Sequence, residues 1–123
     1  MTKIMIVDDE KEATDLLENL LKLEGYESIS VNDSTTAIQI ARAKIPDAFL
    51  LDLMMPEIDG FKLCRMLRAD PKFSHTPIII ITALNDSDSR VVAFGAGAND
   101  YITKPYFLHE LASIIKKLLH DTD

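Results

Sequence analysis

The chain has 123 residues, enough for one domain whose core buries about two thirds of the surface the unfolded chain exposes. Its 20 acidic residues outnumber 13 basic ones, and the formal charge of −7 disfavours a phosphate-backbone binder, so no direct nucleic-acid contact is expected. With 47% hydrophobic and 27% charged residues the composition is that of an ordinary globular protein and not of a disordered or fibrous one.

The apolar run at residues 4–7 reads as a strand covered on both faces, because it shows no alternation. Ala13, Leu16, Leu17, Leu20 and Leu21 then fall on one face of a helix. A weaker strand follows at 28–31, and a second helix is expected to begin near Ser34 as its N-cap, carrying Ala37, Ile38, Ala41 and Ile45. Residues 48–51 form a second buried strand run. Phe61, Cys64 and Leu67 mark a third helix after Asp59 and Gly60, and residues 78–81 form the third buried run. A fourth helix over 87–94, capped by Asp86 or Ser87, has a thin apolar face. It leads through Gly95 and Gly97 to a short strand at 101–103. Leu108, Leu111, Ala112, Ile115, Leu118 and Leu119 mark the last helix. Strand and helix thus alternate five times with no repeat or linker, which predicts a single α/β unit over 1–123. In such a parallel sheet the functional crevice lies beyond the carboxyl ends of the strands.

Those ends carry the chemistry. The first strong strand runs into Asp8, Asp9 and Glu10, the second into Asp52, the third into Thr82, and the last weak one into Lys104 and Pro105. Two carboxylates ~4 Å apart repel by about 4 kcal/mol at an effective dielectric near 20, so the cluster calls for shared protons or a cation. Oxygen donors without histidine or cysteine favour Mg²⁺, or Mn²⁺, over zinc. Lys104 can pair with a phosphoryl oxygen and Thr82 can donate to one. Asp52 is placed as the nucleophile that forms an acyl phosphate.

These residues resemble the receiver domain of response regulators in two-component signalling. The resemblance rests on IMIVDDE, on LLDLMMPEIDG around Asp52, on Thr82 in IIIITAL and on Lys104 in AGANDYITKP; Gly60 stands eight residues past Asp52, and Lys104 stands 22 past Thr82. It implies a flavodoxin-like doubly wound five-stranded parallel sheet of order 2-1-3-4-5 with five flanking helices. It implies that Asp9, Asp52 and the Met54 backbone carbonyl bind Mg²⁺ while Asp8 acts through water. It implies a cis bond before Pro105, and a Tyr101 whose rotamer follows Thr82 as part of the switch. The donor would be a sensor histidine kinase or phosphotransfer protein. The output face would be helix 4, strand 5 and helix 5, binding a downstream protein or a second copy. Tyr106 stands where relatives often have phenylalanine. Apolar Met54 and Leu84 beside the site predict a longer-lived phosphoryl group.

Each feature alone has a plainer reading. Asp8 and Asp9 could form a solvated turn, Asp52 could cap a helix, Thr82 could be a β-branched strand residue and Lys104 a surface charge; their joint register decides otherwise. Tyr101 could be ordinary packing, Gly60 and Gly97 read as structural, and Met54, with the other methionines, as adaptable filler. Cys64 reads as an inert buried thiol with no disulfide partner. His75, His109 and His120 read as surface residues, and Asp70, Asp86, Asp88, Asp100, Asp121 and Asp123 as solvated acids. No apolar stretch reaches the ~18 residues of a membrane span, and acids follow Met1 too early for a signal peptide, so a cytoplasmic chain without membrane contact is expected. Three alternatives stand beside the switch: a receiver module cut from a larger regulator or hybrid kinase, an aspartyl-phosphate phosphatase with diffusible substrate, and a fold retained for interaction alone. Met54, two past Asp52, cannot serve as the general acid a phosphatase needs.

Overall fold

The computed structural model describes residues 1–120. In chain order the elements are β1 (Lys3–Val7), α1 (Lys11–Leu23), β2 (Glu27–Val31), α2 (Ala37–Lys44), β3 (Ala48–Leu51), α3 (Gly60–Ala69), β4 (Ile78–Thr82), α4 (Ser87–Gly95), β5 (Asp100–Thr103) and α5 (Leu108–His120). The strands pair in parallel in the order β2-β1-β3-β4-β5, the flavodoxin-like arrangement.

The unbroken apolar runs follow from this topology. Successive side chains point to opposite faces, and helices cover both. Met5, Val7, Phe49, Leu51, Ile78 and Ile80 pack on one side with Ala37 and Ala41 of α2, Leu63 and Leu67 of α3 and Ala93 of α4. Ile4, Ile6, Leu50, Ile79, Ile81 and Ile102 pack on the other with Leu17, Leu20 and Leu21 of α1 and Leu111 and Ile115 of α5. Cys64 is buried, as expected.

Several local expectations are corrected. Ser34 does not cap α2: residues Ser34–Thr36 form a 3₁₀ turn capped by Asp33, whose carboxylate accepts from the Thr35 N–H at 3.0 Å, and the Ser34 hydroxyl donates to the Pro56 carbonyl. Ile45 is not on the core face but ends α2 at φ 48°, because the following proline bars a further α residue. Leu16 is half exposed, and Thr14 takes the buried place. A second 3₁₀ turn, Pro71–Phe73, carries the buried Phe73, whose ring meets Phe49 edge-on at 5.3 Å. Met54 is exposed and fills nothing.

Asp70 is not a solvated acid. It accepts from Arg42 Nε at 2.8 Å and from the Lys72 N–H at 3.0 Å, and the Arg42 bond with that N–H holds its carboxyl below the usual range. A lowered folded-state pKa stabilises the fold above the ordinary aspartate value, about 3.9, and that contribution disappears as pH falls through the folded value. Asp70→Asn keeps an oxygen for the cap and removes the charge. It should lower the melting temperature by a few degrees at pH 7, with the gap to the parent closing below pH ~4 in a thermal-denaturation series. Asp121 and Asp123, read with the same group of acids, lie outside the described residues.

Arg68 at the end of α3 ties three segments together. Its guanidinium donates to the carbonyls of Phe73 and Thr76, both at 2.7 Å, to that of Gly97 at 2.9 Å, and to Asn99 Oδ1 at 2.7 Å. Gly97 adopts φ 110°, and a Cβ there would run into the Arg68 side chain, so glycine is required on both counts.

Candidate functional site

Backbone pairing continues one residue past the strands, and this places the site. The Asp8 N–H donates to the Val31 carbonyl at 3.1 Å, the Asp52 N–H to the Val7 carbonyl at 3.0 Å, and the Lys104 N–H to the Thr82 carbonyl at 2.7 Å. Asp8, Asp52, Thr82 and Lys104 therefore stand along one carboxyl edge. From β1 the chain crosses to β2 on one side, whereas β3 lies on the other; Asp8 and Asp52 flank that reversal of strand order.

Lys104 Nζ donates to Asp8 Oδ2 at 2.7 Å and to Asp52 Oδ2 at 3.2 Å. Each carboxylate turns its other oxygen onto its own chain: Asp8 Oδ1 accepts from the Glu10 N–H at 3.0 Å and Asp52 Oδ1 from the Met54 N–H at 3.1 Å. Both turns are thus set by the acids themselves. The Asp8 and Asp52 side chains are 3% and 6% exposed, and that of Lys104 is 24% exposed. Burial pushes the Asp8 carboxyl up against the lowering influence of Lys104. Burial alone would lower Lys104, but Asp8 and Asp52 outweigh it and hold the ammonium above its ordinary range.

Asp8, Glu10 and Asp52 each offer one carboxylate oxygen within 4.8 Å of the others. One ammonium faces three acids there, and the donors are all oxygen, which suits a hard divalent cation. Glu10 occupies the N-cap of α1 yet makes no capping bond. Asp9 is exposed and falls outside this group. Sequence reasoning placed Glu10 at the strand end but assigned it no role; the run of three consecutive acids was the available signal.

Thr82 is fully buried, and its hydroxyl accepts from the Leu84 N–H at 3.5 Å. Tyr101 is buried as well, donating its hydroxyl to the Leu84 carbonyl at 2.7 Å, with the Arg90 guanidinium 4.6 Å above its ring. Burial pushes its phenol up. The loop after β4 is thereby attached to both Thr82 and Tyr101. Arg90 went unnoticed in the sequence, since only the packing of α4 over β5 brings it to the ring. The bond between Lys104 and Pro105 is cis. Tyr106 joins Glu10, Ala13, Leu16 and Leu108 in lining a groove of about 450 Å³ beside Lys104. Gly60 begins α3 directly against the turn after Asp52, its N–H donating to the Leu53 carbonyl at 3.0 Å.

An open doubly wound sheet with acids, hydroxyl and ammonium at its switch point defines a class that comparison with known proteins makes specific. The response regulator receiver domain model matches residues 4–116, and the chain belongs to that family. It is 35% identical over its whole length to the DNA-binding dual master transcriptional regulator RpaA of Synechocystis sp., of which it covers 51%. It is 43% identical over 103 residues to the response regulator PleD of Caulobacter vibrioides, covering 84% of this chain and 23% of PleD. The chain thus spans about half the length of the first relative and less of the second. The signal receiver domain of a histidine kinase from Syntrophus aciditrophicus superposes with a TM-score of 0.91 at 34% identity, covering 100% of this chain and 93% of that one. The BeF3-activated receiver domain of Klebsiella pneumoniae RstA gives 0.91 at 28% identity, over 97% and 99%. Receiver domains are phosphorylation-dependent signalling switches that work with histidine kinases and downstream effectors and use a divalent metal in their acidic pocket. Among the described residues, no helix is long and apolar enough to cross a membrane.

Proposed function

We propose that residues 1–123 act as one receiver whose phosphoacceptor is Asp52, and the observation that carries this reading is the Asp8–Lys104–Asp52 bridge at the strand switch point. A carboxylate oxygen of Asp52 attacks phosphorus of a phosphohistidine on a sensor kinase or phosphotransfer protein. The O–P bond forms, the P–N bond breaks, and the electron pair leaves with the imidazole, which takes up a proton. Lys104 leaves its carboxylates to meet a phosphoryl oxygen, and the Thr82 hydroxyl donates to another. Asp8, Asp9, Glu10, Asp52 and the Met54 carbonyl are the oxygens available to Mg²⁺, with Mn²⁺ as substitute; the cation supplies positive charge for the incoming phosphoryl oxygens. Water later attacks phosphorus, returning the Asp52 carboxylate and inorganic phosphate. Met54 and Leu84 beside the site offer that water no polar group, which fits slow hydrolysis.

The phosphoryl oxygens draw Thr82 and the loop after β4, and Tyr101 follows through its bond to Leu84. The output face is α4, β5 and α5, where Val91, Val92 and Phe94 stand exposed for a downstream protein or a second copy. No turnover of a diffusible substrate belongs to this reading, because Met54 supplies no general acid. Kinases that draw on ATP place the reaction in the cytoplasm. The greater length of RpaA favours a second, compatible reading in which this receiver serves a longer regulator.

Incubation with acetyl phosphate and Mg²⁺ should give one phosphoryl adduct by intact-protein mass spectrometry. Asp52→Asn should abolish it, and chelation of the cation should reduce its formation by at least about 100-fold. An adduct that survives in Asp52→Asn sinks the assignment.

A further inference from the structure

We propose that Asn32 is a positioning residue for the cation-binding acids, its side-chain amide stapling together both ends of the loop that carries Asp8, Asp9 and Glu10. The inference rests on the receiver reading above. Asn32 Nδ2 donates to the Asp8 carbonyl at 2.9 Å and to Thr14 Oγ1 at 3.1 Å. Thr14 is fully buried in the first turn of α1 and donates its own hydroxyl to the Lys11 carbonyl at 3.0 Å. The neighbouring Val31 carbonyl accepts the Asp8 N–H, so the end of β2 grips the Asp8 backbone from both directions.

This grip is needed because of what the loop carries. Three consecutive carboxylates repel one another, and the hydrogen bond that closes the turn, from the Glu10 N–H to Asp8 Oδ1, uses one of those same carboxylates. That bond loosens whenever the oxygen turns to a cation. The N-cap of α1 adds no side-chain bond to compensate. Asn32 holds the loop from a separate strand and spends no carboxylate oxygen in doing so. Both of its amide hydrogens are engaged, since the Asp8 carbonyl is only an acceptor and the Thr14 hydroxyl hydrogen is committed to Lys11. Alanine at 32 removes both links at once. The loop ends then separate before a cation binds, and closing them again opposes binding.

The test is a Mg²⁺ titration followed by amide NMR shifts, together with the Mg²⁺ dependence of phosphorylation by acetyl phosphate. Asn32→Ala should raise the half-saturating Mg²⁺ concentration about 5–10-fold, the usual effect of losing one to two hydrogen bonds, with the plateau rate within twofold of the parent. Thr14→Val should raise it less, and should add nothing in an Asn32→Ala background. A half-saturating concentration within twofold of the parent overturns the proposal, as does a plateau rate that falls while Mg²⁺ affinity stays put. A merely structural asparagine would lower the melting temperature without moving the titration. Failure of the parent itself to form an adduct would instead overturn the receiver reading, and the Mg²⁺ titration of the free chain would still decide the role of Asn32.

Discussion

Gly60→Ala should cost about 2–3 kcal/mol of stability, close to 10 °C in melting temperature for a chain of this size, and should impair phosphorylation at Asp52. A Cβ at position 60 would stand 2.7 Å from Leu53 Cα and closer still to the Asp52 carbonyl oxygen. Both are backbone atoms, which cannot swing aside as a side-chain tip would. Nor can α3 retreat freely. Its first N–H is bonded to the Leu53 carbonyl, and its Asp59 cap accepts from the Lys62 N–H at 2.8 Å. The methyl group therefore displaces the turn that aims Asp52. Thermal denaturation read beside adduct formation checks this; an unchanged melting temperature would mean that the close approach relaxes without strain.

Lys104→Met should be comparably severe in the absence of divalent cation, and for an electrostatic reason. Methionine retains the length of the stem but strips the ammonium from two carboxylates that are almost wholly buried. Removing one partner of a buried pair typically costs about 3–5 kcal/mol, and the partial exposure of Lys104 argues for less, about 2–3 kcal/mol. Mg²⁺ should restore much of that stability by supplying the missing charge, whereas it should add little to Asp52→Asn, where a neutral amide has replaced one donor. The phosphorylation rate should remain down by about 100-fold even with Mg²⁺ saturating, because on the proposed reading the lysine also donates to the phosphoryl group. Chemical denaturation with and without Mg²⁺, and the initial rate of adduct formation, separate the two roles.

The architecture was legible because the three central strands of this sheet, β1, β3 and β4, declare themselves in the same way. Residues 4–7, 48–51 and 78–81 are apolar on both faces, and that pattern belongs to parallel strands between helix layers. The strand-end residues were legible for a related reason, since the topology alone brings Asp8, Asp52, Thr82 and Lys104 to one edge. What escaped notice depends on three-dimensional detail. Ser34 has the chemistry of a cap, but Asp33 one position earlier offers a carboxylate to Thr35 and so starts the turn instead. Asp70 looks like any surface acid until Arg42, 28 residues away, folds against it. Glu10 belongs with the cation site because α1 begins there and leaves its side chain uncommitted. Arg90 and Asn32 are ordinary helix and turn residues whose partners, Tyr101 for the first and Asp8 and Thr14 for the second, lie far off in sequence on other elements.

The guanidinium of Arg68 fastens the turn that follows α4 with acceptors that are all neutral, so changes of pH or of ionic charge near Asp52 leave that fastening intact. At the opposite end the helix rests on its own Asp86 cap and on the Leu84–Tyr101 bond. On the proposed reading, phosphorylation of Asp52 would act on the Ser87 end of this helix, because the Gly97 side is held by Arg68. Val91 and Val92 stand exposed partway along that helix, so a partner docked on the proposed face would register any change in its tilt.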